Sequence, residues 1–359
     1  VIVRDQSGRA DETFEDVGLS VAWPSISKSF TATGQFTWRG EKIDATLSLS
    51  DFLAALTGER SGLKARIVGA PLKLAFDGHI GHRPALKLEG MLAADGPSLR
   101  HVLEWAGIAP LPGGGFGRFA LKAQTNLVGQ TIAFSGVNVE LDGNAAEGVF
   151  SLTTGGRPQL QGTLAAEEID ISPYVSAMQV LSSEREWSRL PIRLDGLKGM
   201  ELDVRLSAGR VMLAGTRIGR TALSANLRGG RFVLTIGESQ AFDGVVKGTI
   251  GIAGAADDAA DLKANLQFTG VDLEKCLFVV LGVRKVEGRG DIALALDATG
   301  SDVFELARTL NGTGSLVAKQ GALVGVNVEQ VLRRLERRPL SGGGDFRSGR
   351  TPFEKLGVV

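Results

Sequence analysis

The chain has one cysteine, Cys276, one tyrosine, three histidines and four tryptophans in 359 residues. A single cysteine excludes an internal disulfide framework and a cysteine-based zinc site, and it leaves the redox compartment open. Neither sign of charge is in excess, because forty basic residues meet forty acidic ones. With no basic run beyond Arg333-Arg334 and Arg337-Arg338, the electrostatic footprint of a nucleic-acid binder is missing. Long hydrophobic runs are missing too: the longest, Cys276 to Val283, falls far short of the ~20 residues that span a bilayer as helix. So few Trp and Tyr also argue against the paired aromatic girdles of a membrane β-barrel. The chain opens Val1-Ile2-Val3-Arg4, with no initiator Met, charged n-region or signal-like apolar stretch. It therefore reads as a piece whose export signal or anchor, if any, lies upstream.

What the chain has in quantity is glycine, 49 residues, set between short runs in which every second residue is apolar. Leu202, Val204 and Leu206 alternate with Glu201, Asp203 and Arg205, and the spacing recurs in Ile43, Ala45, Leu47, Leu49, in Leu72, Leu74, Phe76, and in Ile292, Leu294, Leu296. Successive strand side chains point to opposite faces, so each run offers one apolar and one wet face. Turn residues at Gly40, Asp77-Gly78, Asp142-Gly143-Asn144, Gly155-Gly156 and Gly229-Gly230 separate the runs. The fold class expected from these runs is mainly β, a sheet with one apolar face, accompanied by a few short amphipathic helices.

Helical spacing appears in few places. Leu99, Val102, Leu103 and Ala106 predict a helix over 99–106, ended by Pro110, Pro112 and the glycine run 113–117. Ser172-Pro173 starts a second through Leu181, followed by a polar loop at 182–189. Residues 271–283 admit a third, Asp302 caps a fourth over 302–310, and 328–337 reads as a basic amphipathic helix. Three β-rich segments result: 1–110 ending in a short helix, 111–190 ending in a helix and polar loop, and 191–359 with short helices. They form one continuous elongated unit.

Catalytic constellations are not signalled. His79 and His82 stand three apart beside Asp77, but in a strand-turn context without a third ligand. The 113–117 glycines lack the Gly-Lys-Ser/Thr of a phosphate loop, and no Gly-x-Ser-x-Gly elbow occurs. Glu167-Glu168 and Asp257-Asp258 lie in polar segments where solvated charge is the plainer explanation. Asn311-Gly312-Thr313 is formally a glycosylation sequon whose meaning depends on compartment. No cofactor and no metal is implied, and an enzyme is not the expectation. An apolar strand face must meet a second layer, a lipid or a partner, and the alternation alone leaves these three open.

The string Phe36-Thr37-Trp38-Arg39-Gly40-Glu41-Lys42-Ile43, then Leu86-Lys87-Leu88-Glu89-Gly90 and Leu99-Arg100-His101-Val102-Leu103-Glu104-Trp105, resembles the AsmA family of bacterial envelope proteins. So do Val139 to Gly148, Leu160 to Leu164, Ile169 to Tyr174 and Ala241 to Gly248. The most specific stretch comprises Leu310-Asn311-Gly312-Thr313-Gly314, Gly321 to Val328 and Gly349-Arg350-Thr351-Pro352-Phe353. The resemblance implies a periplasmic protein, held to the inner membrane by an anchor not present in this chain, with a long curved antiparallel sheet open as an apolar groove and expected to be incomplete at both ends. It also implies a role in phospholipid transport between membranes and in outer-membrane biogenesis. Phospholipid is then the expected partner, together with an outer-membrane or periplasmic protein. The alternative is a non-catalytic scaffold for outer-membrane protein assembly. On this reading the residues expected to face lipid are Ile43, Leu47, Leu72, Leu74, Phe76, Leu121, Phe134, Leu202, Val204, Leu206, Leu234, Leu266, Leu294 and Leu296.

Overall fold

A computed structural model describes residues 2–4, 11–83, 85–108, 114–175, 189–213, 215–256, 259–282, 284–325 and 349–358. Strands β1 (Ile2–Arg4), β2 (Asp11–Ala22), β3 (Phe30–Trp38) and β4 (Glu41–Leu49) precede helix α1 (Phe52–Thr57). Then come β5 (Ser61–Gly69), β6 (Lys73–Gly81), β7 (Lys87–Gly96) and α2 (Leu99–Trp105). Next are β8 (Phe119–Val128), β9 (Thr131–Leu141), β10 (Asn144–Thr153), β11 (Gln159–Asp170) and α3 (Ser172–Val175). A 3-10 turn at Asp195–Lys198 leads to β12 (Glu201–Leu213), β13 (Thr216–Ile218), β14 (Thr221–Arg228), β15 (Arg231–Ala241), β16 (Gly244–Gly254) and β17 (Ala260–Asp272). The chain closes with α4 (Leu273–Leu281), β18 (Val286–Gly300), α5 (Val303–Thr309), β19 (Asn311–Val324) and β20 (Arg350–Val358).

Each strand pairs with the next, so the sheet is a meander in chain order. β13 and β14 continue one register on β12, with Val211 opposite Ile218 and Ala208 opposite Thr221, and so form one strand broken at Gly219-Arg220. The protein is thus mainly β, a single open sheet of nineteen positions. Among the described residues it does not close on itself, since there β20 pairs only with β19 and β1 only with β2.

One pairing departs from the antiparallel expectation. β11 and β12 run parallel, Gln159 beside Glu201 and Asp170 beside Met212. Parallel neighbours need a long crossover, and residues 171–200 supply it by returning the chain to the end from which β11 started. Its described last part runs across strand ends: Arg189 lies over the Phe304 ring, the Ile192 amide donates to the Ser301 carbonyl, and the Glu201 amide donates to the Pro158 carbonyl.

The helices are decorated turns at the strand ends. α1 and α5 occupy one end, α2, α3 and α4 the other. Caps stop them short. Asp51, Ser98, Asp272 and Asp302 side chains each accept an amide hydrogen from the first turn, while Gly58 and Gly282 end α1 and α4 in the left-handed conformation. α4 makes the best-sealed cluster, with Val271, Leu273 and Cys276 buried against Phe268, Ile292 and Ala318. The 271–283 expectation resolves into strand to Asp272 and helix from Leu273. The basic helix expected at 328–337, and residues 176–181 of the one expected after Ser172, lie outside the described residues.

Asp77-Gly78, expected as a turn, lies inside β6. Gly78 is there because it crosses Gly90 of β7: a β-carbon on Gly78 would stand 2.6 Å from the Gly90 Cα. Leu72 likewise falls outside the strands, its carbonyl accepting from the Gly69 amide to close the β5–β6 turn.

Candidate functional site

Ladder partners share a face, so the register can be followed across the sheet from residue to residue. One row runs Val21, Ala32, Leu47, Ala65, Phe76, Leu92, Ala123. Two residues further along β8 the row resumes as Thr125, Phe134, Phe150, Gly162, Val204, Ala225, Leu234, Ile250, Ala264, Leu296. A parallel row runs Leu164, Leu206, Leu223, Ile236, Gly248, Leu266, Leu294. The opposite face carries Thr163, Arg205, Ser224, Thr235, Thr249, Asn265, Ala295, Thr313 in the same way.

These rows place the sequence candidates. Ile43, Leu47, Leu74, Phe76, Leu121, Phe134, Leu202, Val204, Leu206, Leu234, Leu266, Leu294 and Leu296 all stand on the one apolar face, and Leu72 sits in a turn at its border. Ile43 and Phe76 are buried; the others are half-buried. The reading missed Phe150, Phe232, Ile250, Ile252 and Phe268 on the same face. Ile250 and Ile252 alternate with Thr249 and Gly251, so the signal was present, diluted by glycines in β16.

Among the described residues nothing extensive covers this face. Among the described residues strands touch their ladder neighbours, and helices touch strand ends. The total exposed area is 22397 Å², for a chain of 37.7 kDa. A compact monomer of that mass exposes ~13,800 Å², and the excess over that fits a sheet over which the described residues fold no second layer. Half-burial without a cover arises where side chains of neighbouring strands crowd one another on one face. Glycine makes room for the largest of them. Gly96, Gly162 and Gly321 lie opposite Phe119, Phe150 and Phe353, whose rings occupy the space a β-carbon would need.

Polar groups on the apolar face are few. The Thr221 and Ser239 hydroxyls satisfy each other at 2.8 Å, while the buried Thr125 hydroxyl has no partner among the described residues. The other face suits water, with cross-strand ion pairs Lys64–Asp77 (3.0 Å), Arg210–Glu168 (3.1 Å) and Lys247–Glu238 (3.5 Å). Two shallow hollows open there, of about 670 Å³ around Lys64, Asp77, His79 and Glu89 and about 520 Å³ around Lys247, Asn265 and Thr313.

Groups with chemical potential are engaged structurally. Asp142 accepts the Phe116 and Gly117 amides, each at 2.8 Å. Burial, with Asp142 beside it, raises the Tyr174 hydroxyl above the ordinary tyrosine range. Burial also pushes the Cys276 thiol up to about 11. His79 points from β6 to the polar face, and among the described residues no three His, Cys, Asp or Glu converge as metal ligands. Nor is any described helix long and apolar enough to cross a membrane.

Comparison with known proteins agrees with this architecture. A family model, the AsmA family, matches residues 124–358. No curated protein and no solved structure matches the chain.

Proposed function

The chain belongs to the AsmA family of cell-envelope proteins, and on that premise we propose that its open sheet shields phospholipid acyl chains for transport between the membranes of the envelope. The observation that carries this reading is the uncovered apolar face, continuous through registered partners from Val21 in β2 to Leu296 in β18. At ~4.8 Å per ladder step, nineteen positions give ~85 Å of contour, against ~15 Å for half a bilayer's hydrocarbon core. That length holds several lipids in file. An acyl chain needs no charged partner: laying ~8 CH₂ groups on apolar side chains offsets ~6 kcal/mol of water exposure. The headgroup stays outside, where the rims are polar. In this reading the chain is the periplasmic part of a protein anchored in the inner membrane, and the work is non-catalytic.

Native mass spectrometry of the protein purified from membranes tests the reading. Co-purified phospholipid is expected, displaced when Leu234 and Leu296 are both replaced by Asp. A parent protein free of lipid, with a fold unchanged by the double substitution, would point instead to a scaffold for protein assembly.

A further inference from the structure

From the corner where β2 meets the α1 end of the sheet, we infer that the protein touches a bilayer directly, dipping the β2–β3 loop and α1 into its interface. The sequence there carries no charge from Val17 to Ser27. Edge strands in soluble proteins are ordinarily protected by charge, proline or a cover, and residues 17–22 of β2 have none of these. Leu19 is 70 % exposed, Ile26 71 % and Leu56 66 %, with Trp23 and Leu53 also at the surface. One ring contact ties the β2–β3 loop to α1. The Trp23 ring meets Phe52 of α1 edge-on at 4.9 Å, and Phe52 stacks on Phe30 at 4.3 Å.

Three features select a lipid surface as the occupant. Trp beside Leu and Ile is the composition that settles at the headgroup boundary. At this end Lys28, Arg60 and Arg83 stand with Asp51 and Glu59, and Arg60 pairs with Glu89 at 3.6 Å, so Lys28 and Arg83 are the cations presented to anionic headgroups. The patch is also continuous with the uncovered face: Phe52 packs on the Leu49, Leu63 and Phe76 cluster, and Leu19 and Val21 share the ladder rows of Ala45 and Leu47. An acyl chain leaving a bilayer at this corner would pass from Trp23 and Phe52 onto the sheet without crossing water. The inference rests on the lipid-carrying reading for what the contact achieves, while the contact itself stands on the exposed residues.

Vesicle flotation of the 359-residue chain tests it, with phosphatidylcholine vesicles prepared with and without phosphatidylglycerol. The parent is expected to float, Ile26→Asp/Leu56→Asp to lose at least ~10-fold in partition, and Lys28→Glu/Arg83→Glu to lose the preference for phosphatidylglycerol. Ile26 and Leu56 are exposed, so circular dichroism should show both double variants folded. Thr235→Asp, on the polar face, should float like the parent. Parent chain that stays unbound, or Ile26→Asp/Leu56→Asp that floats equally well, overturns the inference. So does a parent dimer that dissociates on that substitution while vesicle binding is absent, since the patch would then be a contact between copies. If no variant holds lipid on the sheet but flotation still depends on Ile26 and Leu56, the transport reading falls and the membrane contact stands.

Discussion

The ring of Phe150 lies over Gly162, its ladder partner, in the space where a β-carbon would project. A methyl group there would also stand 2.6 Å from the Val149 carbonyl oxygen. Neither neighbour is the loose end of a flexible chain, so Gly162→Ala should destabilise by ~1–3 kcal/mol through overpacking. Gly254, with open space around its α-carbon, is the control: alanine there should be neutral or slightly stabilising. Urea midpoints of the two variants check this, and equal midpoints would refute the crowding argument.

The same pair shows what could be read from the residues. Leu202, Val204 and Leu206 announce their face because nothing interrupts their alternation, and the register then carries that face through Leu227, Ala225 and Leu223 of β14. Bulges preserve it. Gly148 opposes Val137 and Phe150 opposes Phe134, so β9 spends one more residue than β10 and keeps Val137 and Phe134 on one side. A period of two cannot reveal such an insertion before the pairing is known. Nor could it show the parallel seam of β11 with β12, which depends on where thirty later residues lead. α1 has six residues, too few for a helical period, and only Asp51 before and Gly58 after mark it.

Cys276 is predicted to be inert in the folded protein. It is 1 % exposed on the inner side of α4, and its thiol is pushed up to about 11, chiefly by burial and secondarily by Asp272. The neutral thiol is a poor nucleophile at pH 8. Ellman's reagent should therefore titrate it only after denaturant is added, and rapid reaction of the native protein would contradict the packing of Leu273 and Cys276 against Ile292.

Acid should loosen α5 before the rest of the sheet. The Glu305 carboxylate accepts from the Ser301 amide at 2.9 Å and from its hydroxyl at 2.8 Å, which holds its pKa below the ordinary carboxylate range. A carboxylate depressed in the folded state contributes stability above its unfolded pKa and loses it as pH falls through the folded one. Protection of the α5 amides from hydrogen exchange, after correction for intrinsic rates, should therefore drop as pH descends below ~4.5. In Glu305→Gln it should start lower and lose this acid step. An unchanged acid step in that variant would assign it to another group.

Adjacent residues of β15 offer the sharpest separation of the two faces. Leu234 stands between Ala225 and Ile250 on the apolar side, and Thr235 between Ser224 and Thr249 on the polar side. Aspartate at 235 enters a row of hydroxyls in contact with water, where surface substitutions stay within ~0.5 kcal/mol. Aspartate at 234 places a charge among aliphatic groups that an acyl chain would otherwise cover, costing a bound lipid those contacts and forcing the carboxylate either to keep its water or to be desolvated. With a photoreactive fatty-acyl phospholipid, Leu234→Asp should lose most of its cross-linking and Thr235→Asp should match the parent. Because one position along the strand reverses the side chain, equal losses in both variants would mean that lipid does not distinguish the faces, and the apolar row would revert to a structural role.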